Sequence, residues 1–351
     1  MARTRGASKS VTPSKPPATL PAASPAPTSK LPTQLRFPLL VLLSLAISSG
    51  AYSMVSPFMS GDLATVSRSR DEWWEVVGLL GWKAGQLAVG WYGGYDSMLP
   101  PTNMQGKADS APLGSDVAAL TFMSHVPYHY FLVTFYLIRP TTSIACIAID
   151  TAAAFLPFYT LKVSSSIHSI KTPKGVAANR SVINDYQVQI FTSLLATGIY
   201  AVVVFGSYTS WLPVYLVTHF DGIRDISTLH NNNFPYLIAS YLPIGFAAKI
   251  FLFTPSEAAK PDSHDKEIAK FNPETATLSE TVMFNLWGYS KRTRTLMKRT
   301  ATLAAVSGLH TYLQTYVSLE GTEALGAAGW SSVWALAATV TGAVYCWVED
   351  V

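Results

Sequence analysis

The sequence predicts an all-α protein, a polytopic helical membrane bundle of about eight spanning helices with one re-entrant or interfacial segment. Three observations carry this. The 351 residues are 49% hydrophobic and only 13% charged, where a soluble globular chain is about 25% charged. Uncharged or nearly uncharged stretches recur at the length of about 20 residues that crosses about 30 Å of hydrocarbon at about 1.5 Å per residue. The basic residues, finally, crowd into alternate loops.

Residues 1–36 carry six basic residues (Arg3, Arg5, Lys9, Lys15, Lys30 and Arg36), no acid and seven prolines. Such a composition cannot bury enough apolar surface to repay ordering and reads as a disordered tail. Its lack of acids admits a mitochondrial transit peptide, a reading that the proline spacing opposes because it forbids a long amphipathic helix.

Residues 37–253 hold the first six spans. The first, Phe37 to Phe58, is uncharged and reads as a signal anchor. The second, Val76 to Tyr95, has one charge, Lys83, and places Gly78, Gly81 and Gly85 on one face, a spacing that suits close helix contact. The third, Val117 to Ile138, contains His125 and His129. Arg139 and Pro140 connect it to the fourth, Thr141 to Leu161, which contains Asp150.

The next run, Tyr186 to Phe220, has thirty-five residues without Asp, Glu, Lys or Arg. It is too long for one span and short for two. We expect a helix over Gln187–Phe205, a turn at Gly206, Ser207, Thr209 and Ser210, and a half-buried or re-entrant segment from Trp211 to Phe220. The sixth span is Phe234 to Phe253, with Lys249 near enough to its end to snorkel.

Residues 254–299 form a polar loop that can dock protein partners. In it Thr277 and Glu280 have capping-box spacing and start a helix through Val282, Met283, Leu286 and Trp287. Lys291, Arg292, Arg294, Lys298 and Arg299 follow without an acid. An apolar face leading into such a cluster reads as an amphipathic helix on anionic lipid head groups, or as a stop-transfer flank. Residues 300–351 hold the last two spans, Thr300–Leu319 and Ala324–Trp347, the second with the small pair Ala338 and Gly342.

With eight spans, nineteen basic residues lie on the side where the chain begins and four (Arg68, Arg70, Arg139 and Arg224) on the other. By the positive-inside rule both termini are then cytosolic, or in the matrix for a mitochondrial protein. An endomembrane or the plasma membrane is the expected site, with the mitochondrial inner membrane as the alternative. The sequon Asn179-Arg180-Ser181 falls on the cytosolic side, so its glycosylation would refute this topology.

Cys146 and Cys346 lie within spans and make no CxxC or finger spacing. No P-loop, metalloprotease, nucleophile-elbow or dinucleotide fingerprint occurs, which points away from an enzyme and implies no cofactor. The Trp and Tyr residues near span ends are an aromatic belt, and nothing calls for nucleic acid. The chemistry rests on ionisable residues within spans, which are costly there and functional candidates by default: His125, His129, Asp150, His310 and Lys83. His125 and His129 share a helical face. The set suits a proton relay, a metal site, a haem between paired histidines, or simply histidines bonded to neighbouring carbonyls. Three functions remain open: a small-solute or proton-coupled transporter, a non-catalytic scaffold or assembly factor, and a metal- or haem-binding membrane oxidoreductase.

The stretches NRSVINDYQVQIFTSLLATGIYAVVVFGSY, WLPVYLVTHFDG, FNPETATLSETV and WGYSKRTRTLMKRTATL resemble an uncharacterised family of multi-pass membrane proteins of filamentous fungi, with a likeness that runs from about Phe37 to the C-terminus. The resemblance implies a fungal membrane protein and transfers no catalytic residue.

Overall fold

A computed structural model describes residues 32–69, 72–95, 116–161, 185–230, 234–253, 265, 268, 270–272 and 275–350. Residues 1–31, the sequon at Asn179 and most of the expected loops at 96–115, 162–184 and 254–277 lie outside them. Among the described residues the protein is helical, with only two isolated β-bridges.

The helices are α1 (Thr33–Leu63), α2 (Trp73–Tyr92), α3 (Asp116–Phe135), α4 (Pro140–Leu161), α5 (Tyr186–Thr209), α6 (Leu212–His219), α7 (Ser227–His230), α8 (Phe234–Leu252), α9 (Leu278–Trp287), α10 (Lys291–Ser318) and α11 (Ala324–Asp350). Five are long and apolar enough to cross a membrane: α1, α4, α5, α8 and α11. The long helices α2, α3 and α10 are less apolar. In α3 twelve of twenty residues are buried, His125, His129 and Ser124 among them. A helix that faces protein on most sides has no need to be apolar all round.

Helix starts follow local chemistry. Asp185 caps α5 by accepting from Gln187 N, Ser290 caps α10 by accepting from Thr293 N, and Thr277 and Glu280 form the expected capping box of α9. Helix α1 begins earlier than the expected span. Thr33–Arg36 belong to its first turn, with Pro32 at the cap.

The run from Tyr186 to Phe220 departs from the expected turn. Helix α5 continues through Gly206, Ser207 and Thr209, and the chain turns only at Ser210 and Trp211. Ser207 and Thr209 donate their hydroxyls to the carbonyls of Val203 and Phe205 four residues back, so they sit within a helix without orphaned polar groups, and Ser210 at its C-cap donates likewise to Gly206 O. The eight residues of α6 span about 12 Å, too little for a crossing. Leu212 and Leu216 are buried while Val214 and Val217 are exposed, the pattern of the half-buried segment that was expected.

One end of the bundle is tied by backbone bonds between four turns. Ser67 pairs with Leu319 and Phe220 with Thr322. Glu320 N donates to Val66 O, Asp221 N to Gly321 O at 2.8 Å, and Arg224 N to Phe135 O at 2.9 Å. Gly321 has φ +69°, and a Cβ there would meet Asp221, so this turn needs glycine. Arg139 donates to Asp62 Oδ2 at 2.6 Å and to Phe58 O at 3.1 Å, and the Asp62 carboxylate raises the Arg139 guanidinium's pKa above its ordinary value. Arg68, Arg139 and Arg224 therefore share one end of the bundle; Arg70 lies outside the described residues.

The opposite end is closed by Arg299 on α10. It donates to Asp116 at the start of α3, to Phe251 O at 2.6 Å, and lies over the rings of Tyr95 and Phe251. Between the ends, α5 and α8 touch at Gly245, where an added Cβ would overlap Thr197 and the Ser193 carbonyl and stand 2.7 Å from Thr197 N. Helices α10 and α11 touch at Gly342 against Thr300, as its small-residue pairing with Ala338 foretold. Gly78, Gly81 and Gly85 meet nothing within 4 Å. The expected contact face of α2 is thus turned away from the bundle, because Lys83, Gln86 and Gly90 on the other side claim the interior.

Candidate functional site

Asp150 sits nearly three turns into α4, in a sequence otherwise free of charge. Its Oδ1 accepts from Lys83 Nζ of α2 at 3.0 Å, and its Oδ2 accepts from Tyr52 Oη of α1 at 2.6 Å. His125 of α3 lies beside the same oxygen, with Nε2 at 3.7 Å from Oδ2. Lys83 also donates to Ser48 Oγ at 2.9 Å, one turn from Tyr52 on α1. One carboxylate therefore draws together four helices, and its charge is balanced by an ammonium in direct contact.

A second set of contacts joins α2, α3 and α10. His310 packs its ring against His125 at a tilt of 39°, with centroids 4.0 Å apart. Its Nδ1 accepts from the indole of Trp82 at 3.0 Å and faces the Gln86 amide nitrogen at 3.1 Å. An indole can only donate, so His310 carries its hydrogen on Nε2, an atom that is buried without a partner. His125 donates from Nδ1 to Thr121 O at 2.8 Å, the carbonyl four residues back. The packing here also repairs a proline. Pro127 has no N–H for the Met123 carbonyl, and Ser307 of α10 donates to it instead at 3.3 Å.

Of the residues singled out in the sequence, Lys83, His125, Asp150 and His310 come together. His129 is buried one turn further along α3, with Nδ1 unpaired and outside the hydrogen-bonded set. Lys249 does not snorkel: it is 1% exposed and its Nζ has no hydrogen-bond partner. Sequence reasoning missed Tyr52, Ser48, Trp82 and Gln86. The one available signal was the spacing of Ser44, Ser48 and Tyr52, which puts three polar groups on one face of an apolar helix.

The basic residues singled out for lipid contact divide. Lys298 is exposed, and Lys291, Arg292 and Arg294 are half-buried, whereas Arg299 is drawn inward by Asp116 and Phe251 and leaves the set. The cluster is also no separate surface helix. It forms the first turns of α10, because Ser290 starts a new helix after α9 ends at Gly288.

The cleft beside Asp150 is lined by Lys83, Gln86, Ser124, His125 and Val306 and has room for about one water. Among the described residues no three His, Cys, Asp or Glu side chains are grouped so as to hold a metal ion.

Fold and site together define a class: an all-helical bundle with five helices apolar enough for a membrane, cross-linked inside by one ion-paired polar cluster. Residues 185–348 match the family model of the Bouquet formation protein 3 C-terminal domain, a family of fungal type. The match covers α5 to α11 and just under half of the chain, so it includes His310 and leaves Tyr52, Lys83, His125 and Asp150 outside. No curated protein and no solved structure matches the chain.

Proposed function

We propose that this chain is a multi-pass membrane protein of eight spanning helices that works as a non-catalytic scaffold in bouquet formation, the process named by the family that its C-terminal half resembles. The observation that carries the scaffold reading over the transporter is the state of Asp150. Its oxygens are taken by Lys83 and Tyr52, and the space beside it admits about one water. A carboxylate that moves protons or solute needs an open approach, whereas one that locks helices needs partners from each of them. The eight-helix reading adds α2, α3 and α10 to the five most apolar helices, since Lys83 and Gln86 of α2, His125 and His129 of α3 and His310 of α10 face inward. The turns bearing Arg68, Arg139 and Arg224 then lie opposite the cytosol, in an endomembrane.

The test compares wild type with Asp150→Asn, purified as full chains and reconstituted in vesicles. The scaffold reading expects proton and solute leak equal to that of empty vesicles for both proteins. In cells that lack the protein it expects fewer bouquets, restored by Asp150→Asn in proportion to the amount that accumulates. A flux present in wild type and lost in a well-accumulated Asp150→Asn protein would sink the scaffold reading in favour of the transporter. A visible absorbance band abolished by His125→Ala would instead favour the oxidoreductase.

A further inference from the structure

Two atoms that face each other in the polar cluster are both acceptors. His125 Nδ1 lies 2.8 Å from Thr121 O, and a carbonyl can only accept, so the ring carries a hydrogen on Nδ1. In a neutral ring Nε2 then turns a lone pair toward Asp150 Oδ2, 3.7 Å away. That gap is too wide for a direct hydrogen bond. Oδ2 is served by Tyr52 at 2.6 Å, whereas no hydrogen bond reaches His125 Nε2 among the described residues.

A second hydrogen on the ring is a poor answer. It would set two positive charges, His125 and Lys83, against one carboxylate and leave a net charge inside the bundle. A neutral donor placed between the two acceptors removes the conflict and adds no charge. Lys83 can hold such a donor. Its ammonium has three hydrogens, of which Ser48 Oγ takes one at 2.9 Å and Asp150 Oδ1 another at 3.0 Å. The third has no acceptor among the described residues.

These atoms belong to side chains that line one cleft, with a volume of about 20 Å³. A water needs roughly 10–15 Å³ and two to four polar partners. We infer that the cleft is a binding site for one structural water, which accepts from Lys83 Nζ and donates to His125 Nε2 and Asp150 Oδ2. A water about 2.8 Å from each acceptor spans their separation. It gives α3 a hydrogen-bonded link to the carboxylate that α1 and α2 reach directly. The inference goes beyond the scaffold reading, because it rests on the bonding of these atoms and not on what the bundle does.

The experiment uses the full chain with isotope-labelled histidine, reconstituted in vesicles at neutral pH and read by solid-state nitrogen magnetic resonance. The His125 signals are those missing from His125→Gln. The expected spectrum is that of a neutral ring with its hydrogen on Nδ1, in which magnetisation passes from water protons to Nε2. Ala154 lines the cleft one turn from Asp150, so Ala154→Val puts two methyl groups where the water sits. That transfer should then be lost, while the signal of His219, on α6, is kept. A wild-type His125 ring protonated on both nitrogens would overturn the water site in favour of an imidazolium paired with Asp150. A neutral ring whose Nε2 receives nothing from water would overturn it in favour of a dry cleft. Transfer that survives Ala154→Val unchanged would overturn the assignment to this cleft. Solute flux through the same vesicles would sink the scaffold reading and leave these spectra as they are, so the two failures are told apart.

Discussion

Lys83 and Asp150, sixty-seven residues apart and on different helices, meet at 3.0 Å in the interior of the bundle, with Tyr52 holding the second carboxylate oxygen. Removing one member of a buried ion pair leaves an uncompensated charge, at a cost of about 3 kcal/mol or more. Lys83→Met should therefore unfold at markedly lower temperature than wild type in detergent. Lys83→Met/Asp150→Leu should recover much of the loss, because no lone charge remains. A double variant as unstable as the sum of the singles would mean that the two do not interact.

Arg299 makes a forked contact that lysine cannot copy, with Nε on Phe251 O and a terminal nitrogen on Asp116. Hydrogen bonds from a charged group are worth about 1.5–3 kcal/mol each. Arg299→Lys is expected to lose about that much for the contact it gives up, measured by thermal unfolding. Lys298→Gln, one residue away and exposed, should change stability by less than about 0.5 kcal/mol.

The glycines of this chain divide into two kinds. Gly245→Ala forces a Cβ into Thr197 and the Ser193 carbonyl, so α5 and α8 must part, an overpacking cost of about 1–3 kcal/mol or more. Gly78→Ala and Gly81→Ala meet open space and remove flexible residues from a helix, for a gain of about 0.5–1 kcal/mol each. Thermal unfolding of the single variants checks the opposite signs.

The Glu280 carboxyl is held below its ordinary value of 4.5 by the bonds it accepts from Thr277. A depressed acid stabilises the fold above its unfolded value and loses that contribution as pH falls through the folded one. Amide exchange in α9 should therefore accelerate, beyond its intrinsic pH dependence, only below about 4.5. Glu280→Gln should lose this acid step. An identical acid step in the variant would assign it to another group.

Much of the fold was legible because its signals are local. An uncharged run of about 20 residues is read along one segment of chain, and the pairing of Thr277 with Glu280 depends on neighbours within four positions. The exceptions have the same origin. Gly206, Ser207 and Thr209 spell a turn by residue type, yet hydroxyls that bond back to their own helix satisfy themselves, and α5 runs through. The glycine face of α2 pointed to packing by its spacing alone, and spacing does not say which side of a helix is the inside.

The site was half legible for an electrostatic reason. A charge or an imidazole in an apolar run is costly and announces itself, which singled out Lys83, His125, His129, Asp150 and His310. Tyr52, Ser48, Trp82 and Gln86 are ordinary residues in such helices and carry no such mark.

The sequence by itself determined that the chain is helical, roughly where its long helices run, and which polar residues within them had to find partners. Only the tertiary structure decided that Asp150 is answered by Lys83 and Tyr52, that Arg299 turns inward while Lys298 turns out, and that the run to Phe220 crosses the bundle once. The physical reason is range. Burial cost and capping act within a few residues, while the partner of a buried charge is chosen by which helices can pack closely, a choice made across the whole chain.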